Sequence, residues 1–236
     1  MIKYKRIVLK LSGESLAGNN SHGIQTEILV YFANQIKKIA DFGVQVAIVI
    51  GGGNIFRGLH GETQGFDRET GDHMGMLATV INSLALQTVL ESLGKPAILY
   101  SAIRLEPIGA FYSKRKALKA LEQGKIVIIS CGTGNPYFTT DTASALRAVE
   151  LSADALLKAT RVDGIYTADP EKDSNAIKYN HLTYNEAILK DLKVMDITAF
   201  SLCKENKMRI IVFDINNENN LMDIIQGKDV GTIVSE

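Results

Sequence analysis

Short, nearly continuous runs of aliphatic and β-branched residues, each closed by a glycine-bearing turn, constrain this chain more than any other feature. Ile7-Val8-Leu9-Lys10-Leu11 runs into Ser12-Gly13, and Val46-Ala47-Ile48-Val49-Ile50 runs into Gly51-Gly52-Gly53. Ile126-Val127-Ile128-Ile129-Ser130 runs into Gly132-Thr133-Gly134-Asn135-Pro136, and Ala155-Leu156-Leu157-Lys158 and Ile210-Ile211-Val212-Phe213 are two further runs. A strand open to water on one face alternates apolar and polar residues, whereas one covered on both faces does not, so these runs predict a mostly parallel buried sheet. Between them lie helical periods, with Ile28, Leu29, Phe32, Ile36, Ile39 and Ala40 on one stripe. Gly43, Gly94 and Gly124 follow such stretches where a left-handed C-terminal cap belongs. Thr183-Tyr184-Asn185-Glu186 has the spacing of a capping box. Strands alternating with helices predict an α/β layer fold. No repeat, low-complexity tract or linker interrupts it, and any division into lobes would fall near Pro136 to Asp141.

At 236 residues the chain is one large domain or two closely joined ones, able to bury a full core without a disulfide or metal staple. Its 26 basic and 26 acidic side chains cancel, which excludes a broad electrostatic footprint for nucleic acid or an anionic membrane. A small anionic ligand needs only a local pocket. Cys131 and Cys203 match no metal spacing and read as free thiols, with a disulfide between them the alternative. The first apolar run is a few residues long and meets Lys10, so neither a signal peptide nor a membrane span fits there, and the expected location is the cytoplasm.

Ligands of open α/β sheets bind beyond the carboxyl ends of the strands, where three of these glycine turns lie. Glycine lets backbone N–H groups converge on an anion; the plainer reading of each is a tight turn. No Gly-x-x-x-x-Gly-Lys-Ser/Thr occurs, and Phe56 stands where a dinucleotide fingerprint needs its third glycine. Lys10 either extends to the sheet edge or neutralises a transferring phosphoryl group. Arg57 is a surface charge or a second such cation. Asp141 and Asp196 each cap a helix, or orient Lys10 and hydrated Mg²⁺. Asp72-His73-Met74 precedes a long helix with Leu77, Ile81, Leu84 and Ala85 on one face, which is core or subunit interface. Met74 and Met76 read as packing, and His73 alone carries no metal signal.

Six segments occur in order: Lys10-Leu11-Ser12-Gly13-Glu14, Gly51 through Gly58, Gly71-Asp72-His73-Met74-Gly75-Met76-Leu77-Ala78-Thr79, Gly132 through Asp141, Lys158 through Gly164, and Lys193-Val194-Met195-Asp196. Together they resemble the amino acid kinase superfamily and, within it, the bacterial UMP kinase family, from about Lys5 to Thr232. The Gly-Asp-His-Met-Gly-Met and Gly-Thr-Gly-Asn-Pro-Tyr-Phe-Thr-Thr-Asp segments carry the narrower resemblance. It implies an αβα sandwich forming a single domain over residues 1–236, the N-terminal part holding the acceptor and the C-terminal part holding Mg·ATP. It implies phosphoryl transfer from ATP to UMP in pyrimidine biosynthesis. By position, Lys10, Arg57, Asp141 and Asp196 would be catalytic. Lys10, Leu11, Ser12, Gly13, Gly53 and Arg57 would meet the ATP and transferring phosphates, with Thr160, Tyr166 and Asp169 on the adenosine side. Gly52, Asp72 and the run Thr133, Gly134, Asn135, Pro136, Tyr137, Phe138, Thr139 and Thr140 would hold UMP. Mg²⁺ would be held mainly through phosphates and water.

Gly18-Asn19-Asn20-Ser21-His22-Gly23 reads as a polar surface loop. The resemblance implies instead an effector site for GTP and UTP in a homohexamer, with a role for Arg104. Two other readings stand beside this one. A related kinase acting on a carboxylate or carbamate would share Lys10 and Gly51-Gly52-Gly53 but lack the Thr133 to Thr140 run. A non-catalytic nucleotide-binding sensor would have no need of Lys10, Arg57, Asp141 and Asp196 together.

Overall fold

The computed structural model describes residues 1–18, 20–56, 65–192 and 195–236. In chain order the first half holds β1 (Arg6–Leu11), α1 (Gly13–Ala17), α2 (Thr26–Asp41), β2 (Gln45–Ile50), α3 (Arg68–Ser92), β3 (Ala97–Ser101), β4 (Ala110–Phe111), α4 (Lys114–Glu122) and β5 (Ile126–Ser130). The second half holds α5 (Thr140–Glu150), β6 (Ala155–Thr160), β7 (Ile165–Tyr166), β8 (Lys178–Tyr179), β9 (His181–Thr183), α6 (Tyr184–Leu189), α7 (Ile197–Glu205), β10 (Ile210–Asp214), α8 (Asn220–Gln226) and β11 (Thr232–Ser235).

The five apolar runs form the middle of a nine-stranded sheet of order β4-β3-β5-β2-β1-β6-β10-β11-β9. Every neighbouring pair in it is parallel except β10 with β11. The first-half strands β2, β5, β3 and β4 lie on one side of β1, and the second-half strands β6, β10, β11 and β9 lie on the other. The β1/β6 boundary is thus a topological switch point, where open α/β sheets leave a crevice. Period-2 alternation sends Ile7, Leu9 and Leu11 to one face, against α2, α3 and α8, and sends Val8 to the other, against α4, α5 and α7. Two apolar cores on opposite faces make the αβα sandwich that the sequence led us to expect.

Local signals hold at most ends. Gly43, Gly94 and Gly124 all adopt left-handed φ just past their helices. Thr183 and Glu186 make both bonds of the capping box that opens α6. Helix α3 begins earlier than expected, because Asp67 accepts the Thr70 N–H at 3.0 Å and caps it; Asp72 and His73 therefore lie inside the helix. Its Leu77, Ile81 and Leu84 face solvent, while Met76, Val80, Leu86 and Leu90 turn inward. Among the described residues α3 is the one helix long and apolar enough to cross a membrane, yet it packs on β3 and β5 as a core helix. Both cysteines are buried and free. At Gly13, a Cβ would collide with Gly51 O and Asn54 Oδ1, so only glycine lets the turn after β1 nest against the turn after β2.

Candidate phosphoryl-transfer site

Lys10 of β1 and Lys158 of β6 occupy paired positions of the parallel ladder that flanks the switch point. Partners in a parallel register point to the same face, and neighbouring strands run about 4.8 Å apart, so two ammonium groups are brought together. Helix α5 crosses that face and places Asp141 between them. Lys158 Nζ donates to Oδ2 at 2.6 Å, and Lys10 Nζ stands 3.1 Å from Oδ1 as an ion pair. All three side chains are largely buried. Burial pushes the Asp141 carboxyl up, but Lys10 and Lys158 outweigh it and hold the group below its ordinary range. Burial lowers Lys158, and nearby Lys10 adds to this against the pull of Asp141. The three groups together carry one net positive charge, and Asp196 nearby also acts on Lys158. Asp141 Oδ1 lacks an aligned hydrogen-bond donor among the described residues, leaving a buried acceptor at the mouth.

The cap of α5 is Thr139, not Asp141: its hydroxyl accepts from the Asp141 and Thr142 N–H groups and donates to Asp196. Asp196 does cap α7, accepting the Ala199 N–H at 2.8 Å, and also accepts the Thr142 hydroxyl at 2.9 Å. A cavity of about 390 Å³ opens beside this group, lined by Asp141, Lys158 and Asp196 and by Ile188, Leu192 and Phe200 from α6, α7 and the segment between them. That size suits a small-molecule ligand. The cavity lining mixes charged groups, Asp191 among them, with apolar side chains.

On the opposite side of the switch, Gly51 N–H donates to Leu11 O at 3.0 Å, tying the two turns together. Gly52 lies hard against α3: a Cβ there would stand 2.8 Å from both Gly75 O and the Ala78 Cβ. Among the described residues, the Gly52 and Gly53 N–H groups donate to no acceptor. One turn before Gly75, Asp72 Oδ2 accepts from Arg68 Nε at 2.9 Å and from the Tyr137 N–H at 2.8 Å. The run after β5 is thus pinned to α3. Within it Thr133 Oγ1 accepts the Asn135 N–H, Tyr137 holds a left-handed φ of 71°, and the Tyr137 and Phe138 rings are exposed.

The structure therefore gathers Lys10, Asp141, Asp196, Thr139 and Thr140 at the switch, with Ser12, Gly13, Gly52 and Gly53 in the adjoining turns. Thr160 ends β6, two residues past Lys158; its hydroxyl donates to Val162 O. Tyr166 donates to Asp163, and Asp169 pairs with Lys172 in the following exposed turn; neither lines the cavity. Gly23 donates its N–H to Asn54 O, and Ser21 pairs with His22. Arg104 lies over the Phe111 ring. Arg57, like Asn19, lies outside the described residues. Sequence reasoning passed over Lys158 as a site residue. Its signal was present, since Lys158-Ala159-Thr160 repeats the Lys-apolar-hydroxyl ending of Lys10-Leu11-Ser12.

A paired-lysine switch point between glycine turns can be set beside known proteins. The sequence profile of the amino acid kinase family matches residues 5–214. The chain belongs to the amino acid kinase family. Among its curated relatives, the uridylate kinase of Bacteroides thetaiotaomicron is 59% identical over 234 residues, covering 99% of each chain. That of Porphyromonas gingivalis is 56% identical over 235 residues, covering 100% of this chain and 98% of its own. The crystal structure of UMP kinase from Bacillus anthracis superposes with a TM-score of 0.95 at 38% identity, covering 98% of this chain and 96% of that one. UMP kinase from Ureaplasma parvum gives 0.93 at 41% identity over the whole of both chains.

Proposed function

We propose that this chain is a UMP kinase, transferring the γ-phosphoryl group of ATP to UMP to give UDP in cytoplasmic pyrimidine nucleotide synthesis. The observation that carries the chemistry is the Lys10–Asp141–Lys158 cluster at the strand ends; the full-length likeness to uridylate kinases supports the acceptor. We read the chain as one domain, with UMP over the Gly52, Asp72 and Thr133 to Thr140 side and ATP over the Asp196 cavity. Thr160, Tyr166 and Asp169, which do not line that cavity, would extend the adenosine side beyond it, and the resemblance makes Arg57, outside the described residues, a third cation.

The phosphate of UMP has a second pKa near 6, so at neutral pH the acceptor is largely a dianion and needs little help from a base. The obstacle is repulsion between two polyanions brought in line through a loose transition state with charge on its equatorial oxygens. Lys10 and Lys158 supply fixed positive charge where that charge grows, and Asp141 lets two ammonium groups share one buried spot. The Gly52 and Gly53 N–H groups and the start of α5 aim donors at the phosphates. Preorganised donors and charges of this kind act without reorganising as the reaction proceeds. Mg²⁺ accompanies ATP and supplies further charge neutralisation. Asp141 would help hold it through water, since its Oδ1, ion-paired with Lys10, accepts no aligned hydrogen bond among the described residues, while Asp196 is engaged by two hydroxyls and an N–H.

A homohexamer accounts for the exposed Leu77, Ile81 and Leu84 on α3 as subunit interface. GTP and UTP act as effectors through Gly18 to Gly23 and Arg104. The test of the activity is ADP release from Mg·ATP with UMP, CMP, dUMP, AMP, GMP, glutamate and carbamate. UMP-selective turnover is expected. Turnover with an acid alone would keep the fold and discard the acceptor, and none at all in protein that binds UMP would make the chain a sensor.

A further inference from the structure

A pair of asparagine side chains lies buried beneath the glycine turn, and nothing in the chemistry above uses it. Asn54, at the end of the turn, and Asn82, in the middle of α3, are 2% and 0% exposed. Each donates to the other: Asn82 Nδ2 to Asn54 Oδ1 at 2.7 Å, and Asn54 Nδ2 to Asn82 Oδ1 at 3.0 Å. The second hydrogen of Asn54 goes to Gly23 O, and that of Asn82 to Gly51 O, both at 2.7 Å. All four amide hydrogens are therefore placed, which fixes both side-chain orientations: turning Asn82 over would set its oxygen against a carbonyl. A buried polar pair costs desolvation, so it survives in a core only when fully satisfied.

The bond to Gly51 O has a consequence at the phosphates. The peptide unit is planar and trans, so the direction of the Gly51 carbonyl fixes that of the Gly52 N–H in the same plane. We propose that Asn82 is a positioning residue for phosphoryl transfer: its amide clamps the Gly51–Gly52 peptide so that the Gly52 N–H faces the substrate phosphates. Gly13 shares the arrangement, since Gly51 O and Asn54 Oδ1 fill the space a Cβ there would need. The turn that follows β1 and the turn bearing Gly52 thus rest on one amide pair. This rests on the reading of Gly52 and Gly53 as phosphate donors.

The test compares Asn82→Leu, which keeps the volume and removes both amide functions, with Asn82→Ser as the milder second variant. Steady-state kinetics with UMP and ATP and a thermal unfolding curve are measured for each. A displacement of about 1 Å in a catalytic donor lowers turnover about 100-fold. We expect kcat/KM for UMP to fall by about that factor in Asn82→Leu, mostly in kcat, and less in Asn82→Ser, with little change in KM for ATP. Ser83→Ala removes a buried hydroxyl one residue away that bonds only within α3, at Thr79 O, and should lower stability while leaving kcat intact. Gly52→Ala must displace the turn itself and reports on its role directly. If Gly52→Ala keeps full activity, the turn does not hold phosphate and the site reading fails. If Gly52→Ala is impaired while folded Asn82→Leu or Asn82→Ser turns over normally, the clamp alone is refuted. An equal kcat loss in Ser83→Ala and the Asn82 variants would reduce Asn82 to packing.

Discussion

Replacing Asp141 with asparagine removes the carboxylate that pairs with both Lys10 and Lys158 while keeping its shape. At 3.1 and 2.6 Å, and at an effective dielectric of about 20, the two attractions are worth about 5 and 6 kcal/mol before desolvation is charged against them. Breaking a buried pair by deleting one partner costs about 3–5 kcal/mol net. The variant can limit that cost by discharging Lys158, already lowered by burial. From an ordinary lysine value near 10.4, discharge costs about 4.6 kcal/mol at pH 7 but only about 1.9 kcal/mol at pH 9. The sign follows from proton counts. With the folded value below the unfolded one, the unfolded chain holds more protons between the two, so stability of the variant climbs with pH toward 10.4. On the acid side Asp141 is itself lowered, so its contribution is complete above about 3.9 and vanishes as pH falls through its folded value, where the native protein comes to resemble the variant. Urea unfolding of both proteins at one protomer concentration should show a deficit of about 3–5 kcal/mol at pH 7 that shrinks to about 2 or less at pH 9. A deficit below about 1 kcal/mol at pH 7, or one of equal size at both pH values, would refute the counter-ion argument.

Lys158→Met should lower kcat by at least about 100-fold with KM for both nucleotides nearly unchanged, in steady-state assays; a kcat near the native value would remove Lys158 from the reaction. Asp72→Ala frees the Tyr137 N–H and Arg68, and should raise KM for UMP about tenfold while sparing KM for ATP and eroding any preference for UMP over dUMP. Thr183→Ala breaks the capping box of α6, whose far end lines the cavity, and should cost about 1 kcal/mol in a denaturation curve with kcat changed far less than in the lysine variants.

The sheet was legible because doubly covered parallel strands write themselves as unbroken apolar runs. The apolar run after Gly94 is short and lacks a glycine turn after it, so it is not named as a strand although it forms β3, and β7, β8 and β9 are two or three residues long, too short for a period. Pairing is what hid Lys158: that it faces Lys10 is a property of the ladder, and no local pattern states which strands are neighbours. Asn82 was hidden for a related reason. In a helix of mixed apolar residues a lone asparagine looks like an exposed position, and only the turn packed against it shows it to be buried. The same ambiguity affected Leu77, Ile81 and Leu84, whose helical spacing is apparent but whose face points outward. Asp141 and Asp196 looked alike in sequence, and the fold separates them: one caps its helix, whereas Thr139 has taken that task from the other.

The role of the charge at the strand ends is measured most directly by Lys10→Met. Turnover with saturating Mg·ATP and UMP, and equilibrium binding of UMP, are determined on the same folded protein. The expected result is a kcat reduced by about 100-fold or more with UMP affinity within a few-fold of native, because Lys10 acts on charge that develops only during transfer. A near-native kcat, or a loss carried wholly by weaker UMP binding, would contradict it.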